Sequence, residues 1–228
     1  MAKRFKNQDD ENSRKEWREG ELIDTFKLNR IVLTETPLMQ EWLTVSAPNL
    51  SAGEQYVFDK ALQKAKKSIV GWNEEDLKMK FISKILELGD LMEDESVIGY
   101  FDKIISATIE DIKLTVKSDF MLATGILDVF KTPYFHFQEY KPYKNPSGDS
   151  MAQLLEAFLI AQEKNKNSKP LYGADIMGAN WRFVIMEGRD YCISQAYDSV
   201  NKMDLLMIIA ILRKFKYILD TRLLDVDK

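Results

Sequence analysis

Residues 134–141 read Tyr-Phe-His-Phe-Gln-Glu-Tyr-Lys, and their aromatic content predicts a buried β-strand. Side chains alternate between the two faces of a strand, so every second residue is expected on the same face. These residues are Phe135, Phe137, Glu139 and Lys141. The shared face begins apolar and ends with a carboxylate beside an ammonium. A buried charge that lacks its partner costs about 3–5 kcal/mol, so this ending indicates a functional site rather than ordinary core.

A second carboxylate lies upstream, in residues 117–125, Lys-Ser-Asp-Phe-Met-Leu-Ala-Thr-Gly. Asp119 opens this short apolar run, which also predicts a strand, and Gly125 closes it. If the two strands pair, Asp119, Glu139 and Lys141 converge. Carboxylate oxygens are hard ligands that suit Mg²⁺ or Mn²⁺. A neighbouring lysine can orient an attacking water and offset charge on a phosphate, so the pattern predicts a metal-dependent hydrolase.

At these residues the chain resembles the PD-(D/E)XK nuclease superfamily, in which an Asp on one strand and Glu-x-Lys on the next bind the catalytic metal. The resemblance extends from about residue 73 to the C-terminus, although Ser118 replaces the Pro of the motif. It implies a restriction-endonuclease-like α/β fold, with a central mixed β-sheet flanked by helices and an N-terminal helical extension. It also implies that Asp119 and Glu139 bind Mg²⁺ (or Mn²⁺) and that Lys141 is catalytic.

Two further side chains are candidates for the site. Residues 73–82 resemble the acidic helix that precedes the strands, and Glu74 falls within the apolar stripe of that helix. The helix dipole explains an acid in the first turn equally well. Residues 150–155 resemble the helix after Glu-x-Lys, where Gln is frequent, so the resemblance implies a site role for Gln153. A capping box formed with Ser150 is the structural alternative.

An acid-x-Lys triplet has little specificity by itself. The chain holds two others, Asp76-Leu-Lys78 on a predicted helix and Asp111-Ile-Lys113 on a predicted strand. The order of elements is more specific: a helix with an inward acid, a strand with Asp, a strand ending in Glu-x-Lys, and an apolar helix. A buried ion pair at a sheet edge is the alternative explanation of Glu139 and Lys141.

The 228 residues predict one domain with an N-terminal extension. We expect a disordered or frayed segment at 1–20, a helical N-terminal subdomain at 21–70 and the nuclease-like domain at 71–228. The subdomain carries Lys60, Lys64 and Lys67 at three- and four-residue spacing, which is typical of a solvated helix face, with phosphate contact as the alternative. The net charge of −4 argues against nonspecific coating of DNA but allows a local basic groove.

Cysteine and histidine usage excludes several kinds of chemistry. Cys192 is the only cysteine, so no intramolecular disulfide forms and a reducing compartment is expected. His136 is the only histidine, which excludes multi-histidine metal sites, and we expect it to be structural or exposed. The sequence contains no Walker-type phosphate loop, no apolar run that spans a bilayer and no signal-peptide core. A cytoplasmic protein without a membrane segment is therefore expected.

These features predict a Mg²⁺-dependent nuclease that acts on nucleic acid, with DNA as the expected substrate, in restriction, repair or mobile-element processing. No recognition domain is visible, so a homodimer or a partner protein is expected to supply specificity. One alternative is a non-catalytic nucleic-acid-binding or assembly module that retains the fold, for which the rim of the site should be acidic or closed. Phosphatase-like hydrolysis of a small molecule is another alternative, and it predicts a deep, narrow pocket.

Overall fold

A computed structural model describes residues 15–32, 36–92, 97–144 and 146–224, in which eight strands form one sheet. The strands are β1 (Asn29–Ile31), β2 (Val97–Ile109), β3 (Ile112–Ile126), β4 (Val129–Lys141), β5 (Leu171–Met177), β6 (Asn180–Glu187), β7 (Asp190–Ile193) and β8 (Tyr197–Asp198). Their order across the sheet is β1-β7-β6-β5-β4-β3-β2, and β8 pairs with β6.

The sheet is mixed because of how its strands are connected. Tight connections join β2 to β3, β3 to β4, β5 to β6 and β6 to β7, and each of these pairs is antiparallel. Between β4 and β5 the chain passes through a long helix, and these two strands are parallel, as a crossover connection requires. The short β1 pairs in parallel with β7.

Helices cover both faces of the sheet. They are α1 (Glu19–Phe26), α2 (Pro37–Leu43), α3 (Ala52–Ser68), α4 (Glu74–Leu77), α5 (Ser83–Leu88), α6 (Ser150–Asn165) and α7 (Lys202–Ile218). A π-helical segment, Lys78–Ile82, joins α4 to α5 without a break. Side-chain caps of the residue types favoured at this position begin α3 and α4: the Ser51 hydroxyl accepts from the Glu54 amide, and Asn73 Oδ1 accepts from the Asp76 amide.

Two apolar cores lie on opposite faces of the sheet. Helices α1 and α6 pack on one face, where Phe137 of β4 contributes to the core. Helices α2, α3, α5 and α7 pack on the other face, where Tyr140 of β4 contributes. The arrangement is a three-layer α/β/α architecture, as the sequence predicts for a central mixed sheet flanked by helices. Among the helices of the described part, none is both long enough and apolar enough to traverse a membrane.

Two local predictions about β4 are wrong. Residues 131–133, predicted to turn the chain into the strand, lie inside β4, and the hairpin turn comes earlier, around Leu127. Phe135 was predicted on the face of Phe137 but belongs to the opposite core. The register between β3 and β4 shifts on either side of Ala123, and such an irregularity reverses the side-chain alternation at that point.

The N-terminal part of the chain contributes to the same cores as the sheet. Residues 1–14 of the segment predicted to be disordered or frayed lie outside the described residues. Residues 15–20 are described, and within them Trp17 is buried, with its ring 5.8 Å from that of Phe26. Within the predicted helical subdomain, β1 adds an unpredicted strand to the sheet edge, and Trp42 packs in the core beneath α7.

Candidate functional site

The pairing of β3 with β4 brings the two predicted carboxylates together. Phe120 lies opposite Gln138, so the preceding and following residues, Asp119 and Glu139, are neighbours on the face covered by α6. Asp119 Oδ2 accepts a hydrogen bond of 2.7 Å from the Tyr140 backbone amide, which holds its carboxyl against β4. Glu139 is completely buried, and neither of its carboxyl oxygens makes a hydrogen bond of normal length to a described residue, although the carboxyl and backbone of Asp119 lie next to it.

Both carboxyl groups are electrostatically strained. Burial raises the pKa of Glu139 well above its ordinary value, and the nearby Asp119 raises it further. Burial also raises the pKa of Asp119, and Glu74 adds to this effect, while the hydrogen bond from Tyr140 opposes it. An unpaired buried carboxylate is unfavourable for stability, so this pair is not explained by the needs of the fold.

Lys141 extends the same face at the end of β4. The residue is 5% exposed, and its Nζ lies 3.6 Å from Glu74 Oε2. Glu74 is therefore turned toward the cluster as its place in the apolar stripe predicts, rather than only occupying the first turn of α4. The backbone carbonyl of Lys141 accepts from the Gly178 amide at 2.7 Å, and a side chain at Gly178 would collide with the Tyr143 ring. This contact fixes the end of β4.

Gln153 lies in the first turn of α6, and the predicted capping box with Ser150 is wrong. The helix begins at Ser150, and the cap is Asp149, whose Oδ1 accepts from the Ala152 amide at 3.0 Å. The Gln153 side chain therefore does not take part in capping the helix. Its Oε1 is buried and has no hydrogen-bond partner in the described part of the chain.

A cavity of about 360 Å³ lies beside Lys141 and Gln153. Its other lining residues come from β3, the loop before α6, α6 itself and the N-terminal segment: Lys15, Glu16, Trp17, Thr115, Val116, Lys117, Ser147, Gly148, Asp149 and Glu156. Three lysines and three acids line it, so its rim has mixed charge. The N-terminal segment was not predicted to contribute to the site.

A second charged network lies next to Asp119. Lys78 is 3% exposed, and its Nζ donates to Asp102 Oδ1 at 2.9 Å, while Lys117 Nζ lies 2.8 Å from the same oxygen. Burial lowers the pKa of Lys78, but the hydrogen bond and charge of Asp102 outweigh it, so the pKa lies above its ordinary value. Lys78 of the competing Asp-Leu-Lys triplet is therefore held by a different acid, and Asp76 pairs with Lys80.

Asp175 and Arg182 form an ion pair on the strands next to Glu139, and this pair was not predicted from the sequence. Asp175 of β5 is the register partner of Glu139, and Arg182 of β6 is the register partner of Asp175. Arg182 Nε donates to Asp175 Oδ2 at 2.9 Å, while Asp175 Oδ1 is buried without a partner among the described residues. The available signal was an Asp inside an apolar strand, placed opposite an Arg across a two-residue turn.

The residues present suit a magnesium ion held in part by water. Within the described ranges, no group of three or more His, Cys, Asp or Glu side chains has the arrangement of a metal site. Mg²⁺, however, is commonly bound by one or two carboxylates and keeps several water ligands. The oxygens of Glu139, which have no partner among the described residues, lie beside Asp119 and provide this donor set. A cation there would offset the cost of burying the two carboxylates and the repulsion that Asp119 exerts on Glu139.

His136 lies on the opposite face and takes no part in this cluster. It is fully buried, and burial lowers its pKa to about 3, so it is neutral. Its Nε2 is 3.0 Å from Gln138 Nε2, and Gln138 Oε1 accepts from the Tyr140 hydroxyl. The histidine is a structural residue of the core, one of the two outcomes expected from the sequence.

Comparison of the chain with protein-family models and with curated proteins finds no match.

Proposed function

We propose that the protein is a Mg²⁺-dependent nuclease that hydrolyses phosphodiester bonds in nucleic acid, with DNA as the substrate. The observation that supports this most strongly is the environment of Glu139. A fully buried carboxyl, whose two oxygens have no partner in the part of the chain that the structure describes, lies beside a second buried carboxyl, and a buried lysine follows two residues later. Each of these features is costly to the fold, and together they supply what metal-assisted phosphoryl hydrolysis needs.

Each residue has a separate role in the proposed site. Asp119 and Glu139 hold the metal, and a bound Mg²⁺ supplies Lewis-acid stabilisation of charge at the phosphate. Lys141 donates hydrogen bonds to water or phosphate, and Glu74 holds its ammonium in place. The side-chain amide of Gln153 does not cap α6, so it is available to orient water or substrate at the cavity.

The first test is incubation of the pure protein with plasmid and with single-stranded DNA and RNA in Mg²⁺, Mn²⁺ or EDTA. Cleavage in either metal, lost in EDTA and lost in Asp119→Asn, is the expected result. A matched control is Asp111→Asn, which removes the exposed acid of the competing triplet and should leave cleavage unchanged. Metal-independent cleavage, or equal cleavage by Asp119→Asn, would contradict the proposal.

A non-catalytic binding or assembly module is the second candidate, and the acids that line the cavity favour it. Glu16, Asp149 and Glu156 line the cavity together with its lysines, whereas a site for polyanions is usually dominated by lysine and arginine. As an assembly module, this candidate predicts that nucleic acid is neither bound at the cavity nor cut in any metal. The two functions are therefore separated by measuring binding in EDTA and cleavage in Mg²⁺ on the same preparation.

A further inference from the structure

A second groove lies between α3 and the continuous helix that runs from Glu74 to Leu88. Its volume is about 270 Å³, and it is separate from the residues of the candidate site. The lining residues are Tyr56, Val57, Lys60, Ala61, Lys64, Lys80, Lys84 and Glu87. Two lysines stand on each helix, so the groove has cationic walls on both sides.

The positive charge of the groove contrasts with the negative net charge of the whole chain. Acids outnumber bases overall, 36 to 32, yet four lysines and one acid line the groove. Lys60, Lys64 and Lys84 form no ion pair with any other described residue, whereas Lys80 is paired with Asp76. Grouping like charges without counterions is mildly unfavourable in the free protein, and a bound polyanion removes that cost.

The groove also has apolar and aromatic lining residues. Val57 and Ala61 of α3 are its small apolar ones. The Tyr56 side chain is 66% exposed, and the Lys60 ammonium lies 5.5 Å from its ring centroid. A duplex presents phosphates on its outside and has no use for an exposed ring. Single-stranded nucleic acid combines phosphates with unstacked bases, which stack on aromatic side chains.

We propose that this groove binds a single-stranded segment of nucleic acid, with phosphates between the lysine rows and a base stacked on Tyr56. The choice of nucleic acid over another polyanion rests on the proposed nuclease function. The groove is also close to the candidate site, because Lys80 and Lys84 follow Glu74 by about 9 and 15 Å along one helix at a rise of 1.5 Å per residue.

The test is fluorescence anisotropy with labelled single-stranded and duplex DNA of equal length, measured in EDTA so that cleavage plays no part. The single strand should bind more tightly than the duplex. Tyr56→Ala should weaken single-strand binding by about 5- to 150-fold, the range measured for loss of one stacked base. The double variant Lys60→Gln with Lys64→Gln should reduce the slope of log affinity against log salt by about 1.4, since each phosphate contact contributes about 0.7.

A matched control is the double variant Lys113→Gln with Lys131→Gln, which removes two exposed lysines on the β2–β3 and β3–β4 hairpins. It should leave affinity and salt slope nearly unchanged, and thermal melting should show that all variants remain folded. Equal binding of duplex and single strand with no effect of Tyr56→Ala would overturn the proposal. So would an equal loss in the control pair.

The two proposals fail in different ways. Groove-dependent binding in EDTA without cleavage in any metal would reject the nuclease and leave the groove in place. Cleavage that requires Lys141 but is indifferent to Tyr56, Lys60 and Lys64, together with unchanged binding in those variants, would reject the groove and leave the nuclease.

Discussion

Replacing Glu139 with glutamine should make the metal-free protein more stable at neutral pH. The carboxyl is fully buried, and its oxygens have no hydrogen-bond partner among the described residues. Burial, and next the charge of Asp119, raises its pKa well above the ordinary value of 4.5. Glutamine has nearly the same shape and carries no charge, so the substitution removes the cost of ionising this group in the folded state.

The sign of the effect follows from proton linkage. Below pH 4.5 the glutamate is protonated in both the folded and the unfolded protein, so the difference between parent and variant should be independent of pH there. Above that pH the unfolded chain releases the proton while the folded chain retains it. The parent therefore loses stability relative to Glu139→Gln until the pH reaches the raised pKa, and the difference then stays constant.

The size of the effect scales with the rise in pKa. Each pKa unit corresponds to about 1.4 kcal/mol of unfolding free energy. For a chain of roughly this length, 1 kcal/mol shifts the melting temperature by about 2–4 °C, so each unit should appear as about 3–6 °C. The assay is thermal melting in EDTA across pH 4–8, with Glu163→Gln, an exposed glutamate of α6, as the matched control.

The metal should reverse the order of stability. A ligand that binds only the folded state stabilises it by about 2.7 kcal/mol at a concentration 100 times its Kd. Mg²⁺ should therefore raise the melting temperature of the parent and not that of Glu139→Gln, which should also lose cleavage. Two results in EDTA would refute the assignment of Glu139 as a destabilising buried carboxyl that binds the metal. One is a difference in melting temperature between the two proteins that does not change with pH, and the other is a variant that is less stable throughout pH 4–8.

The other predictions concern the remaining residues of the site. Lys141→Met should abolish plasmid nicking while retaining the Mg²⁺-dependent rise in melting temperature, whereas Asp119→Ala should weaken both; nicking by Lys141→Met at the parental rate would exclude the lysine. Gln153→Ala should change unfolding free energy by less than about 0.5 kcal/mol in urea titration, because Oε1 makes no hydrogen bond to a described residue, yet slow cleavage. Asp149→Ala, which removes the cap of α6, should cost about 0.5–2 kcal/mol in the same titration, and a smaller loss would argue against its capping role.

Much of the architecture follows from local patterns in the sequence. Aromatic and apolar runs identify β4 and the second half of β3, and the caps at Ser51 and Asn73 mark the starts of their helices. These features are predictable because they depend on residues a few positions apart. The order of Asp119, Glu139 and Lys141 along the chain likewise predicts which strands have to pair for the three to meet.

Other parts of the site depend on contacts between residues far apart in sequence. Glu139 and Asp175 lie opposite each other in the sheet because a helical crossover makes β4 and β5 parallel neighbours. Besides its local partner Glu75, Lys78 bonds to Asp102, 24 residues away, rather than to the acid in its own triplet. Neither pair leaves a local pattern, because strand register and helix packing are set by the whole core.

The sequence by itself determined the mixed α/β class, the strands that bear the charged residues and the candidate set that includes Glu74. Tertiary structure alone decided that the carboxyl oxygens of Glu139 are buried without a hydrogen-bond partner among the described residues. It also decided that Asp149, and not Ser150, caps α6, so that Gln153 takes no part in a capping box. Only packing places lysines of two helices on either side of one groove. The physical reason is the distance along the chain over which each kind of interaction acts. Periodicity and capping act within a turn or two of chain, whereas burial and charge clustering arise only when distant segments pack together.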